Sequence, residues 1–324
     1  MPKAIRVHEV GGPEVLRWQE VSVPAPAAGQ VRIRQAFVGL NFIDVYHRTG
    51  LYPQPLPFTP GMEGAGVITE VGQGVNDLRV GDRVAYAGGQ PGAYAEERVL
   101  PADRVVGLPA EIETRTAAAM MLKGMTAQYL LRQTIDVRPG DTILLHAAAG
   151  GVGLIACQWA KALGATVIGT VGSDEKAQLA REHGCDHTIV YTREPFVQRV
   201  KEVTGGKGVR VVYDSVGKDT FLSSLDCLRP RGLLVLFGQA SGPVAPFDPA
   251  LLASKGCLYL TRPTLFTYTA TREALLATAR DLFEVVKAGR VDIPISGQYP
   301  LAEAAEAHRA LEGRKTTGST VLAA

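Results

Sequence analysis

The stretch Thr142-Ile143-Leu144-Leu145-His146-Ala147-Ala148-Ala149-Gly150-Gly151-Val152-Gly153 constrains this chain most, because an apolar strand pattern runs straight into a glycine turn and then into an amphipathic helix. Beyond the turn, Val152, Ile155, Ala156, Trp159, Ala160 and Leu163 recur at the spacing of one helix face. Glycines let a backbone approach a pyrophosphate closely, and the free N–H groups and positive dipole end of the helix hold its charge. The pattern predicts a dinucleotide-binding turn. It departs from the usual G-x-G-x-x-G at one place: Ala148 stands where the first glycine belongs, with Gly150 and Gly153 in register.

From Asp141 onward strands and helices alternate. Strand patterns at Thr142–His146, Thr166–Thr170, Val209–Tyr213 and Leu233–Phe237 are interleaved with helical ones at Gly151–Leu163 and Glu175–Glu182. Such alternation marks βαβ units and a parallel sheet covered by helices on both faces. Before residue 120 the pattern differs. Val31–Val38, Gly66–Val71, Arg83–Tyr86 and Ala93–Val99 are short strands broken by Gly and Pro, which predicts a small, mainly β barrel with a turn at Gly81-Asp82. Residues 114–132 turn helical, and Arg272–Gly289 forms a further helix with Leu275, Leu276, Ala279, Leu282, Phe283 and Val286 on one stripe. Val291–Pro300 returns to strand and turn chemistry, so the tail is expected to rejoin the first domain.

A chain of 324 residues suits two domains with a cleft between them. The expected division is a first part over 1–122, a dinucleotide domain over 123–262 and a closing segment over 263–324. Net charge is +2 without any run of five Lys/Arg, which speaks against nucleic acid as a main partner. The N-terminus lacks the pattern of a secretion signal, and every apolar run is shorter than the roughly 20 residues of a membrane span. A cytoplasmic location is expected. Cys157, Cys185, Cys227 and Cys257 include no C-x-x-C pair, which argues against a disulfide framework or thiolate zinc site and reads as buried free thiols.

The strand after the glycine turn ends Val167-Ile168-Gly169-Thr170-Val171-Gly172-Ser173, where an NAD enzyme commonly places an acidic residue for the ribose 2′-hydroxyl. No carboxylate stands at that end. Gly172 and Ser173 leave room and Lys176 follows, so a 2′-phosphate would meet a hydroxyl and a cation. NADPH is therefore expected over NADH. Asp174 and Glu175 fall on the opening turn of a helix, where acids serve capping.

Gly39-Leu40-Asn41-Phe42-Ile43-Asp44, Arg48-Thr49-Gly50-Leu51-Tyr52-Pro53, Gly61-Met62-Glu63-Gly64-Ala65-Gly66, His146–Gly153, Tyr213-Asp214-Ser215-Val216-Gly217 and Thr261-Arg262-Pro263 follow one another in a familiar order. Over essentially its whole length the chain resembles the medium-chain dehydrogenases/reductases, and most closely the bacterial NADPH:quinone oxidoreductases related to zeta-crystallin. The resemblance implies a Rossmann-type doubly wound α/β domain joined to a GroES-like, mainly β domain. Zinc-dependent members of that superfamily hold their metal with a Cys in the first motif, a His in the second and a further thiolate near the helix. Asn41, Met62 and Leu122 stand there instead, and no Cys-rich structural lobe is present, so no zinc is expected.

Without a Lewis acid the substrate must accept hydride with modest help, and a small quinone meets that condition. The resemblance implies Asn41, Tyr46 and Thr126 near the nicotinamide and its ribose, with Gly150, Gly151, Val152 and Gly153 at the pyrophosphate. Gly172, Ser173, Lys176 and Tyr191 would surround the 2′-phosphate. Ser215, Phe237, Gly238, Arg262 and Arg314 would line the rest of the cofactor site. Asn41 and Tyr46 are the candidate catalytic residues, whereas Lys123 faces either the cleft or solvent and the sequence does not decide. Two other functions stay open: NADPH-dependent reduction of α,β-unsaturated carbonyls, and nonenzymatic NADPH binding of the crystallin-like or RNA-binding kind. A homodimer is expected by resemblance alone. The physiological quinone, one- or two-electron transfer and the proton donor are left undetermined.

Overall fold

Runs of two to ten residues, many of them rich in Val, Ile and Leu, pair side by side as strands in the computed structural model, which describes all 324 residues. Two units separate: Met1–Met125 with Thr269–Lys287 and Ile293–Ala324, and Thr126–Tyr268 with Ala288–Asp292. The expected borders at 122 and 262 lie three and six residues before these, and the helix Arg272–Lys287 falls in the first unit.

The second unit is built on six parallel strands in the order His187–Val190, Thr166–Val171, Thr142–Leu145, Val209–Asp214, Leu228–Leu236, Tyr259–Thr261. In chain order this is 3-2-1-4-5-6, the doubly wound arrangement whose strand order reverses beside the first strand. The reversal falls between Thr142–Leu145 and Val209–Asp214. Ligands bind beyond the carboxyl ends of strands at such a point, so the topology singles out the loops after Leu145 and Asp214. Leu144, Ile168, Ile189, Val212 and Leu234 pack with Phe221 and Leu225 in the core. Burying each such side chain is worth about 1.5–3 kcal/mol.

The first unit is a seven-stranded, mostly antiparallel sheet. Its path runs Ile295–Pro300, Ser319–Ala323, Gln30–Gly39, Glu63–Val71, Arg83–Ala87, Val106–Gly107, with Glu97–Pro101 also paired to Gln30–Gly39. The tail rejoins this unit as expected: Val321, Leu322 and Ala323 pair antiparallel with Gly39, Val38 and Phe37. Gly81 takes the left-handed backbone (φ 93°), and the Asp82 carboxylate accepts the Arg79 N–H at 2.8 Å, which makes the turn.

Two sequence expectations need correction. Ala93–Glu96 is not strand; the strand begins at Glu97, because the Ala93 and Tyr94 N–H groups bond to Gly61 and Pro60 while Tyr94 O takes the Ile5 N–H. Cys157, Cys185 and Cys227 are buried thiols, but Cys257 is exposed, on a left-handed residue (φ 55°) that swings its side chain outward just before the edge strand.

Candidate active site

Helix α3 (Gly151–Ala162) starts from Gly150, an N-cap in extended conformation with no side chain over the helix N-terminus. The first amide groups of α3 are thus left for a ligand. Each departure from the glycine fingerprint has a local cause. The left-handed residue of the turn is Ala147 (φ 54°), not Ala148, so Ala148 needs no glycine torsion. Its methyl is accommodated because Gly169 lies opposite: a Cβ there would come within 2.6 Å of the Ala148 Cβ and of Cys185 Sγ. Gly153 is indispensable, since a Cβ at that position would sit 2.3 Å from Ala147 O and 2.6 Å from Ala148 O. Gly150 is less confined, its Cβ meeting only Ala147 O at 3.2 Å.

A buried polar thread fixes the neighbouring strand ends. His146 contacts Thr170 Oγ1 at 2.8 Å and Ser224 Oγ at 2.9 Å, and burial holds its pKa below the ordinary histidine value. The Ser224 hydroxyl donates to Asp214 Oδ2 at 3.1 Å. Asp214, fully buried, also accepts the N–H groups of Val216 (2.8 Å) and Gly217 (3.0 Å) and the Thr220 hydroxyl. Its backbone oxygen takes the Phe237 N–H at 2.8 Å, and Ser215 O takes Ala240 N–H at 3.0 Å. Ser215, Phe237 and Gly238 are thereby brought together; a Cβ on Gly238 would meet Ser215 O at 2.7 Å.

Gly172, Ser173, Lys176 and Tyr191 also gather at one place. The Tyr191 hydroxyl lies 3.1 Å from a Cβ built on Gly172, and Ser173 caps helix α4 (Asp174–Glu182), accepting the Lys176 N–H at 3.4 Å. Asp174 is engaged by Arg193 through two bonds of 2.6 and 2.5 Å, which hold its carboxyl below the usual range. Sequence reasoning passed over Arg193, since it lies outside the helix and only the fold sets it against Asp174. Arg262 is exposed, and Thr126 is buried on helix α2 (Thr114–Tyr129).

In the first unit, Asn41 is the N-cap of helix α1 (Phe42–Arg48), where it forms a capping box with Asp44. Tyr46 sits on α1, largely buried, its ring edge-on to Tyr52 at 5.1 Å. Arg314 is an exposed residue with left-handed backbone after the helix Ala304–Glu312. Around Asn41 lies a network that the sequence did not reveal. Glu63, 0% exposed, accepts from Asn41 Nδ2 at 2.8 Å, Lys123 Nζ at 2.6 Å and the Leu122 N–H at 2.6 Å. Lys123 therefore does not face solvent. The place where relatives hold zinc presents an amide already bound to Glu63, a buried thioether at Met62 and an aliphatic side chain at Leu122, a set that does not fit the metal.

Asp44 is fully buried and accepts the Asn41 N–H at 2.9 Å and the Tyr94 hydroxyl at 3.0 Å on Oδ2, while Oδ1 has no partner. Burial pushes its pKa up to about 7, against 3.8 for an ordinary aspartate. The folded chain thus keeps a proton that the unfolded chain releases, and stability falls as pH rises between those two values, by up to about 1.4 kcal/mol per pH unit. Urea unfolding at several pH values across that window is expected to show a flatter profile for Asp44→Asn than for the parent. Parallel profiles would remove Asp44 as the source.

The comparisons agree with this architecture. Residues 27–110 match the model of the alcohol dehydrogenase GroES-like domain, and residues 151–278 match that of the zinc-binding dehydrogenases. A quinone oxidoreductase of Pseudomonas aeruginosa is 56% identical over 323 residues, covering 99% of each chain. The chain belongs to the quinone oxidoreductase family. Within the family its similarity extends to a 2-haloacrylate reductase of Burkholderia, 48% identical with 99% of both chains covered. The solved quinone oxidoreductase of Escherichia coli complexed with NADPH superposes with a TM-score of 0.98 at 49% identity, covering 99% of this chain and all of the other. The family keeps the fold of the zinc-binding dehydrogenases, while Asn41, Met62 and Leu122 set this member apart from the zinc-holding pattern.

Proposed function

We propose that the chain is a metal-independent, NADPH-dependent reductase of small quinones. The observation that carries the reading is the glycine turn at the switch point followed by a strand end where both acids are engaged, Asp174 by Arg193 and Glu175 by Ser173, with Lys176 standing on the first turn of α4. The amides of Gly150, Gly151, Val152 and Gly153 would hold the pyrophosphate. Gly172, Ser173, Lys176 and Tyr191 would receive the 2′-phosphate, and Thr126, Ser215, Phe237, Gly238, Arg262 and Arg314 the remainder of the cofactor. Bound NADPH supplies the hydride. Asn41 and Tyr46 orient the reacting groups, and positioning carries the rate where no Lewis acid polarises the acceptor.

Purified protein is expected to oxidise NADPH with 1,4-benzoquinone or phenanthrenequinone, and NADH much more slowly. Lys176→Glu is expected to cut the preference for NADPH by about tenfold, one charge-assisted contact being lost. An unchanged preference would take Lys176 out of the site. Similarity to a haloacrylate reductase favours a second reading, hydride addition to an electron-poor C=C bond. Turnover of enones or haloacrylates but not of quinones would replace the first reading by the second, and tight NADPH binding without turnover would leave a binding protein.

The homodimer belongs to the same proposal. Tyr259–Thr261 is an edge strand with a free outer side and Tyr259 60% exposed, a surface that natural sheets cover. Light scattering is expected to give twice the chain mass of 34.5 kDa. A monomer at micromolar concentration would refute the dimer. No helix is long and apolar enough to cross a membrane, and we place the enzyme in the cytoplasm.

A further inference from the structure

Asn41, Glu63 and Lys123 come from three separate segments and meet only in the fold. Glu63 Oε1 accepts both Asn41 Nδ2 (2.8 Å) and Lys123 Nζ (2.6 Å), and Oε2 accepts the Leu122 N–H (2.6 Å). All three side chains are enclosed, with exposures of 8% for Asn41, 0% for Glu63 and 6% for Lys123. A carboxylate can only accept, so the end of the Asn41 amide turned to Glu63 must be the NH2 group. The second contact of that nitrogen, Gly39 O at 3.4 Å, is also an acceptor. An asparagine amide is ordinarily free to present either end. Here the chemistry of its neighbours fixes it. Lys123 donates to the same Glu63 oxygen as Asn41 and so tethers the carboxylate in place as the acceptor of that amide. Without Lys123 the carboxylate loses that tether, and only the Asp44 N–H of the capping box then opposes reversal of the amide.

We propose that Lys123 is a positioning residue for hydride transfer: through Glu63 it holds the Asn41 amide with its nitrogen inward, so that the oxygen, which also faces the Asp44 N–H of the capping box, keeps its second lone pair for a bound ligand. The group that docks on Asn41 is then a donor, a hydroxyl or an amide N–H of cofactor or substrate, and not a carbonyl oxygen. This rests on the function proposed above, in which Asn41 touches the reacting partners. The same ion pair could serve stability alone, and the two roles differ in what they transmit to Asn41.

Asn41 and the exposed Asn76 are the only asparagines of the chain, so selective nitrogen-15 labelling yields two side-chain amide pairs, readable without cofactor. In the parent, one pair is expected to be shifted and protected from exchange. Lys123→Met moves it toward the Asn76 pair, and Lys123→Arg restores it. Where the single change does not fold, Lys123→Met/Glu63→Gln removes both charges, and a glutamine can face Asn41 with either end, so the same spectral change is expected from a folded protein. With NADPH and benzoquinone, the folded variant is expected to lose about tenfold or more in kcat, because a misoriented polar group costs on that order. NADPH affinity, measured by fluorescence, changes less than about threefold, since the cofactor's phosphate anchors are untouched. In an Asn41→Ala background the same change adds less than about twofold, as expected of groups acting as one unit. Losses that multiply in the double variant, or an Asn41 amide pair unaltered in Lys123→Met/Glu63→Gln, would overturn the proposal. Should the parent fail to oxidise NADPH with any quinone, the functional reading falls, and the amide spectra alone decide the orientation.

Discussion

Gly153→Ala is expected to lower the affinity for NADPH by about a hundredfold or more, whereas Gly150→Ala costs about tenfold at most. The difference is geometric. The methyl at 153 would lie 2.3 Å from Ala147 O and 2.6 Å from Ala148 O, and both obstacles are backbone that no rotamer change can move. At 150 the single neighbour, Ala147 O at 3.2 Å, needs to yield only a few tenths of an ångström. Relief of the clash at 153 must open the turn and displace the amides at the start of α3. A hydrogen bond to a charged group is worth about 1.5–3 kcal/mol, so losing two exceeds the roughly 2.7 kcal/mol that a hundredfold represents. Gly107→Ala is the control, since a Cβ there meets nothing within 4 Å and its backbone torsion is ordinary. Fluorescence titration of NADPH into the three variants makes the comparison. Equal affinities at 150 and 153 would mean that the turn does not hold the pyrophosphate.

The same turn shows how far a sequence can be read. The strand, the glycines and the helical stripe after Gly150 are local signals, and they placed the strand, turn and helix where the fold has them. What could not be seen was why Ala148 is tolerated, because the answer is Gly169, on the neighbouring strand. Strand Tyr259–Thr261 went unread for another reason: three residues are too short to show a period. At the catalytic candidates the limit is sequence separation. Glu63 had no role assigned beyond its motif and Lys123 was undecided, 60 residues apart with no pattern joining them, yet they share a buried ion pair. Arg193 and Asp174 repeat the case nearer home. An acid at the start of a helix reads as a dipole partner, and only the fold reveals the guanidinium that occupies it.

Arg48→Met is expected to destabilise the first unit by about 3–5 kcal/mol, the range for removing one partner of a buried charge cluster. Arg48 lies at the last turn of α1, the helix that carries Asn41 and Tyr46, and is 1% exposed. Its guanidinium holds Glu312 through bonds of 2.8 and 2.7 Å, the Gly11 carbonyl at 3.0 Å and His308 Nδ1 at 3.0 Å. Burial pushes the His308 pKa down to about 3, so the ring is neutral, accepts from Arg48 on Nδ1 and donates from Nε2 to the Tyr94 hydroxyl at 3.1 Å. That hydroxyl in turn donates to Asp44, which holds the Asn41 N–H. One guanidinium therefore orders a chain of four groups ending at the catalytic candidate. Methionine fills much of the volume but offers no donor, leaving Gly11 O and His308 Nδ1 unsatisfied and Glu312 unpaired. Denaturant unfolding of the parent, Arg48→Met and Arg48→Met/Glu312→Gln measures the effect. The double variant should regain only part of the loss, because Glu312, 33% exposed, can turn to water whereas the buried His308 imidazole cannot. A single-variant loss below about 1 kcal/mol, the level of an exposed ion pair, would show that the cluster does not secure α1.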